Sequence, residues 1–155
     1  MITVRSATTD NEIEIIRTLF AEYQSHIGVD LSFQHFDLEL SLLPGEYSSP
    51  DGCLLLAYTN DEVVGCVAVR KMSDDICELK RMYARPDFRG LGIGRQLALV
   101  AIELARRTGY HRMRLDTLSS MTAAIMLYQS LGFTSIPPYR HNPIPGALFM
   151  ELELS

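Results

Sequence analysis

Apolar positions along the chain switch between a spacing of three to four residues and a spacing of two, and the switches lay out the elements. Residues 2–5 read as a short strand. Ile13, Ile16, Leu19, Phe20 and Tyr23 recur at helical spacing, which predicts a helix over residues 11–26, capped by Asp10 and stopped by Gly28. A second helix is expected over about residues 33–43, with Ser32 as cap and Pro44-Gly45 as stop. After a Gly, Ser and Pro loop come three strands, over residues 53–59, 62–72 and 76–85, the first two joined by a tight turn at Asn60-Asp61. A long helix over residues 92–108 has Ile93, Leu97, Val100, Ala101 and Leu104 as its apolar stripe, with Gly109 just past its end. A strand (111–118), a helix (120–131, closed by Gly132) and a strand (133–136) follow. A proline-rich loop then leads to an alternating strand over residues 147–154. The order β-α-α-β-β-β-α-β-α-β-β is mixed α/β, with an antiparallel front half and one β-α-β crossover.

Composition narrows the class. A chain of 155 residues, 47% hydrophobic and 21% charged, is one domain's worth of sequence with a core of its own and is not disordered. With 14 Lys+Arg against 19 Asp+Glu the net charge is −5, which argues against a generic nucleic-acid surface. No apolar run approaches the ~20 residues of a membrane span. The start, MITVRSATTD, lacks the charged and apolar regions of a signal peptide. Cys53, Cys66 and Cys77 form no C-x-x-C pair and read as buried free thiols, so a cytoplasmic protein is expected. His26, His35, His111 and His141 show no metal-ligand spacing, and no metal is expected. The nucleophile elbow G-x-S-x-G is absent.

The most informative segment is Arg85-Pro-Asp-Phe-Arg-Gly-Leu-Gly-Ile-Gly-Arg95. A strand ends, Pro86 breaks it, and three glycines open an apolar-periodic helix. Unpaired N–H groups at a helix start, together with the macrodipole, attract anions, and glycines let a phosphate approach the backbone. Arg89 and Arg95 flank the loop and can add charge-assisted bonds. A Walker A loop would need Lys-Ser/Thr where Arg95-Gln96 stands. A dinucleotide fingerprint needs G-x-G-x-x-G directly after a buried strand, and here G-x-G-x-G lies five residues beyond it, although Asp116 falls at a tempting distance. A plain glycine-rich turn that starts a helix is the remaining alternative.

The run Arg89-Gly90-Leu91-Gly92-Ile93-Gly94 resembles the [Arg/Gln]-x-x-Gly-x-[Gly/Ala] pattern of the GNAT superfamily of acyl-CoA-dependent N-acetyltransferases. Leu79-x-x-Met82-Tyr83-Ala84-Arg85-Pro86 before it and Leu127-Tyr128-x-x-Leu131-Gly132-Phe133 after it extend the resemblance from about residue 78 to 133. The resemblance implies a GNAT-like fold: a mixed, mostly antiparallel sheet of about seven strands flanked by about four helices, with residues 1–155 as a single domain. It implies an acetyl-CoA cosubstrate whose pyrophosphate lies on Arg89, Gly90, Leu91, Gly92, Ile93, Gly94 and Arg95. The pantetheine would pair with Met82, Tyr83 and Ala84, where the strand splays from its neighbour. Transfer would be direct, within a ternary complex, to a primary amine of a small molecule, peptide or protein.

The chemistry asks for a base and an acid. An alkylamine, pKa about 10.4, must lose a proton, and a carboxylate near 4.3 can take it only when desolvated or through water. Glu78 stands where many members carry this glutamate. With period two, Ile76, Glu78, Lys80, Met82 and Ala84 would share one face, and Glu78 is either the base or a carboxylate paired with Lys80 or a cross-strand Arg. Tyr128 matches the tyrosine that protonates the leaving thiolate in the family, and a strand amide near Met82 or Tyr83 would meet the oxyanion. Met121 stands where many relatives have an Asn that helps hold the cofactor. Acceptor contacts are expected from Tyr23, His26, Phe33, His35, Phe36 and the stiff loop with Tyr139, Arg140, His141 and Asn142. A non-catalytic acyl-CoA-binding module is the alternative function, and monomer and homodimer are both compatible with the sequence.

Overall fold

The computed structural model describes residues 1–28 and 35–154. Its elements run β1 (Ile2–Ser6), α1 (Asp10–Ile27), α2 (Phe36–Leu42), β2 (Cys53–Thr59), β3 (Glu62–Lys71), β4 (Ile76–Ala84), α3 (Ile93–Thr108), β5 (Arg112–Leu118), α4 (Thr122–Ser130), β6 (Thr134–Ile136) and β7 (Ala147–Glu153). Short 3-10 turns stand at Gly45–Tyr47 and Pro86–Phe88. This is the order that the hydrophobic pattern predicts. The expected cap Ser32 and first helical residue Phe33 lie outside the described residues, and α2 is described from Phe36.

Ends shift where local hydrogen bonds outcompete pattern. Thr9, not Asp10, caps α1: its Oγ1 accepts from Glu12 N at 3.1 Å, and Glu12 Oε1 accepts from Thr9 N at 3.0 Å. This reciprocal pair satisfies two donors at the helix start, which a lone Asp cap would not. Gly28, in the left-handed region at φ 68°, closes the helix as expected.

The seven strands among the described residues form one sheet in the order β1-β2-β3-β4-β5-β7-β6. Every neighbouring pair is antiparallel except β4 and β5, which α3 connects. The sheet is buried on both faces. On one, Leu55, Val67, Leu79, Met113 and Leu115 pack under Leu97 and Ala101 of α3 and Tyr128 of α4. On the other, Leu54, Leu56, Cys66 and Ala68 pack against Ile16, Leu19 and Phe20 of α1 and Phe36 of α2. Such two-sided burial explains why the predicted strands read as continuous apolar runs. The thiols of Cys53 and Cys77 are raised by burial to about 11 and 12, which leaves them protonated and unreactive at neutral pH.

One irregularity matters for function. Cys66 pairs with Tyr83 and Ala68 with Lys80, so Val67 alone faces both Arg81 and Met82. This is a β-bulge, and Arg81 takes φ +59°, an unfavourable conformation for a side chain of its size. The bulge breaks the period-two expectation for β4. Met82 and Ala84 join Leu79 in the α3 layer, and Tyr83 turns to the α1 layer, so Glu78 and Lys80 do not share a face with Met82 and Ala84.

Candidate active site

The site is a gap in the sheet. β4 and β5 pair only from Ile76↔Arg112 to Glu78↔Arg114, although β4 continues to Ala84 and β5 to Leu118. Helices on one face hold the released half of β4. Glu39 of α2 accepts two bonds from Arg81, at 3.0 and 3.1 Å, and the guanidinium lies 5.0 Å from the Phe36 ring centroid. Glu22 of α1 accepts from Tyr83 Oη at 3.2 Å and from both Nε and NH2 of Arg85, at 3.1 and 2.8 Å. These contacts anchor the strained bulge and the strand beyond it to α1 and α2.

A groove of about 580 Å³ opens from the gap, a volume usual for small-molecule sites. Met82, Tyr83, Ala84, Arg89, Gly90, Gly92, Ile93, Gly94 and Arg95, all named from the sequence, line one wall. Leu91 does not, and its side chain projects to solvent, 60% exposed. Gly90 and Gly92 sit at φ +82° and +81° with no atom within 4 Å of where a Cβ would stand, so the loop surface is bare. Gly92 is the N-cap of the 16-residue α3. Arg89 is tethered to Ala84 O at 3.2 Å and lies 2.9 Å from His26 Nε2, and Arg95 donates to Ser130 Oγ at 3.2 Å. The donor set of bare glycine backbone, helix N-terminus and two arginines suits a pyrophosphate. Ser120, Thr122 and Leu127, at and within α4, form part of the opposite wall. Met121 lines it too, and its sulfur accepts from Thr117 Oγ1 at 3.8 Å.

A second, smaller cavity adjoins the groove. It shares Tyr23, Ile27, Met82, Leu118 and Met121 with it and has room for about 40 Å³. Its walls come from both faces of the sheet: Leu79 and Tyr128 from the α3 layer, Tyr23 and Ile144 from the α1 layer. Between them stand Lys80, Arg81, Asp116 and Asn142. Asn142 Nδ2 donates to Asp116 Oδ2 at 3.2 Å. Burial raises the Tyr128 hydroxyl well above the usual phenol value, with Tyr23 and Asp116 adding to it, so it stays an O–H donor.

Glu78 lines neither cavity and is 0% exposed. Its Oε1 accepts from Arg70 Nε at 2.8 Å and lies 4.0 Å from Lys80 Nζ. Its Oε2 accepts from Tyr139 Oη at 2.6 Å and Arg140 NH2 at 2.5 Å. Burial alone would raise its pKa, but Lys80, Arg140 and Arg70 outweigh that and hold it at about 2. Of the two roles open in the sequence, this geometry fits the paired carboxylate. Lys80, in turn, is lowered by burial and by the positive charge of Arg81 to about 8.

The acceptor-side residues divide. Asn142 reaches the cavity, Tyr139 and Arg140 turn to Glu78, and His141 is exposed. Tyr23 lies in both cavities and His26 in the groove; Phe36 is buried beneath Arg81, His35 is the exposed N-cap of α2, and Phe33 is outside the described residues. Lys80, Arg81 and Asp116 were not singled out for the acceptor side. Their signal was present, because adjacent charges inside an otherwise apolar strand need buried partners or a ligand. Among the described residues, no group of three or more His, Cys, Asp and Glu is placed to hold a metal ion. Among the described residues, no helix is long and apolar enough to cross a membrane.

A model of the acetyltransferase (GNAT) family matches residues 13–133. The chain belongs to this family. As a GNAT protein it is an acyltransferase, and its relatives agree. An uncharacterised N-acetyltransferase of Schizosaccharomyces pombe is 39% identical, over 99% of this chain and 96% of the relative. Human N-acetylaspartate synthetase is 37% identical over 64% of this chain, which spans 34% of that longer protein. In structure, a GNAT-family acetyltransferase from Staphylococcus aureus superposes with a TM-score of 0.82 at 20% identity, covering all of both chains. A Salmonella typhimurium protein solved with its cofactor acetyl-CoA superposes at 0.76, with 24% identity and 99% and 94% coverage. At these identities the two structures speak for the fold, which this GNAT chain shares across its length.

Proposed function

We propose that this protein transfers an acetyl group from acetyl-CoA to the primary amine of a small molecule, by direct attack in a ternary complex. The observation that carries this reading is the parting of β4 and β5 after Glu78, between a bare glycine loop on one side and Tyr128 on the other. Bound in the groove, acetyl-CoA supplies an activated acyl thioester. Arg89, Arg95 and the amides of Gly90, Leu91, Gly92, Ile93 and Gly94 hold its phosphates. The edge of β4 at Met82, Tyr83 and Ala84, left unpaired by the splay, offers backbone partners to the pantetheine amides in the manner of an added strand.

The acceptor enters the small cavity from the α1 face. Asp116, whose side chain is 10% exposed, is the carboxylate that faces it and takes a proton from the amine directly or through water. The N–C bond forms as the C–S bond breaks, and the Tyr128 hydroxyl donates to the departing sulfur. Glu78 acts one step back: by holding Tyr139 and Arg140 it fixes the loop that delivers Asn142 to Asp116. A cavity of about 40 Å³ favours a small acceptor head over a folded protein surface.

Thiol release from acetyl-CoA with a panel of primary amines tests this. Turnover is expected in the wild type, with loss of acetyl-CoA affinity in Gly92→Asp and Gly94→Asp, where a carboxylate would meet the phosphates. Unchanged affinity in those variants would refute the loop assignment. Binding with turnover of no amine would leave a binding module instead.

A further inference from the structure

We propose that Glu39 is a positioning residue for the cofactor site: through Arg81 it holds β4 in the bulged form that keeps the groove open before the cofactor arrives. This rests on the acetyl-transfer reading above and makes cofactor affinity depend on α2. Glu39 lines neither cavity, so its effect on the cofactor is indirect. Two features oppose the open form. Arg81 sits at φ +59°, a region that disfavours any residue with a Cβ and that glycine adopts freely. Beyond Glu78 and Arg114, the facing edges of β4 and β5 are not paired among the described residues. Unpaired strand edges carry donors and acceptors that closing the sheet would satisfy.

The clamp on Arg81 works against both. Glu39 Oε2 accepts from Nε at 3.0 Å and Oε1 from NH2 at 3.1 Å, a two-pronged pairing that fixes the plane of the guanidinium as well as its position. The Phe36 and Tyr23 ring centroids lie 5.0 and 5.9 Å from the guanidinium carbon. The Arg81 side chain is 2% exposed and that of Glu39 13%, so water and salt screen the pair little. Its place in the chain gives it leverage. The bulge falls between the Ala68↔Lys80 and Cys66↔Tyr83 pairs, and Met82, next to Arg81, is the first residue of β4 to line the groove. Without the clamp, the open form becomes a fraction of the population, and apparent cofactor affinity falls by that fraction.

The test measures the Kd of CoA by calorimetry in two double variants, Glu39→Gln with Arg81→Ala and Glu39→Gln with Arg81→Gly. Both lose the same contacts and leave no charge unpaired at the clamp. They differ by one methyl group, which disfavours the left-handed backbone. The alanine variant is expected to bind CoA about tenfold more weakly than wild type, the factor by which a Cβ disfavours this conformation. The glycine variant should return to near wild-type affinity, because its backbone takes the bulged form unaided. A packing role alone would leave the glycine variant no better than the alanine one, and that result would overturn the inference. Wild-type affinity in the alanine variant would overturn it too. Should neither double variant fold, Glu39→Asp decides, since it keeps the charge but falls short of the two-pronged pairing. Its KM for acetyl-CoA should rise several-fold with kcat at saturation unchanged, and an unchanged KM would overturn the inference. A wild type that binds no CoA would sink the acetyl-transfer reading itself and the inference with it.

Discussion

Glu78→Gln is expected to lose stability before it loses chemistry. The carboxylate is fully buried and accepts from Arg70, Tyr139 and Arg140, with Lys80 beside it. An amide keeps the shape but leaves three cations around one site without their negative charge. Breaking a buried pair in this way costs about 3–5 kcal/mol, and at ~2–4 °C per kcal/mol the melting temperature should fall by roughly 10 °C. The acid side of the stability curve makes the same point. The native pKa of Glu78 is depressed from 4.5 to about 2, so its contribution is fully present above pH 4.5 and is lost as pH falls through that range towards 2. At ~1.4 kcal/mol per unit this amounts to about 3 kcal/mol, and the Gln variant should show a correspondingly flatter acid limb. If Glu78 instead served as the base, the Gln variant would lose turnover even where it is fully folded, and the rise of rate with pH on the acid side of the profile would go with it.

Tyr128→Phe is expected to behave in the opposite way. The ring packs against Phe133 at a centroid distance of 5.6 Å and belongs to the α3 layer, and Phe preserves both contacts. Its melting temperature should stay within a few degrees of wild type. What disappears is the hydroxyl donor facing the gap. Proton donation to a leaving group is worth ~10²–10⁴-fold in rate, so kcat should drop by at least ~10²-fold while acetyl-CoA affinity changes little. Stopped-quench measurement of the single-turnover rate separates this from product release. A rate within a few-fold of wild type would remove Tyr128 from the chemistry.

Much of this architecture was legible in the sequence because it is local. The Gly90-Leu91-Gly92-Ile93-Gly94 run lies where the hydrophobic period changes, and the strand order follows from period and turn residues. The bulge was not legible. Nothing in Lys80-Arg81-Met82 specifies a left-handed Arg81, which is held by Glu39 and Phe36 from a helix some forty residues earlier. Reading β4 as an unbroken period-two strand therefore put Glu78 on one face with Met82. Likewise, the partners of Glu78 come from β3 and from the loop after β6, so whether it faced substrate or cations was a tertiary question. Asp116 and Lys80 line one cavity, which opens where the strands part.

The central claim is that the splay between β4 and β5 receives acetyl-CoA with its thioester at Tyr128. A crystal structure of this protein with CoA tests it most directly. The account predicts the pyrophosphate on Gly90, Gly92 and Gly94, the pantetheine along Met82 and Ala84, and the sulfur within hydrogen-bonding reach of Tyr128 Oη. CoA bound elsewhere, or in the groove with its sulfur turned away from Tyr128 and Asp116, would contradict it.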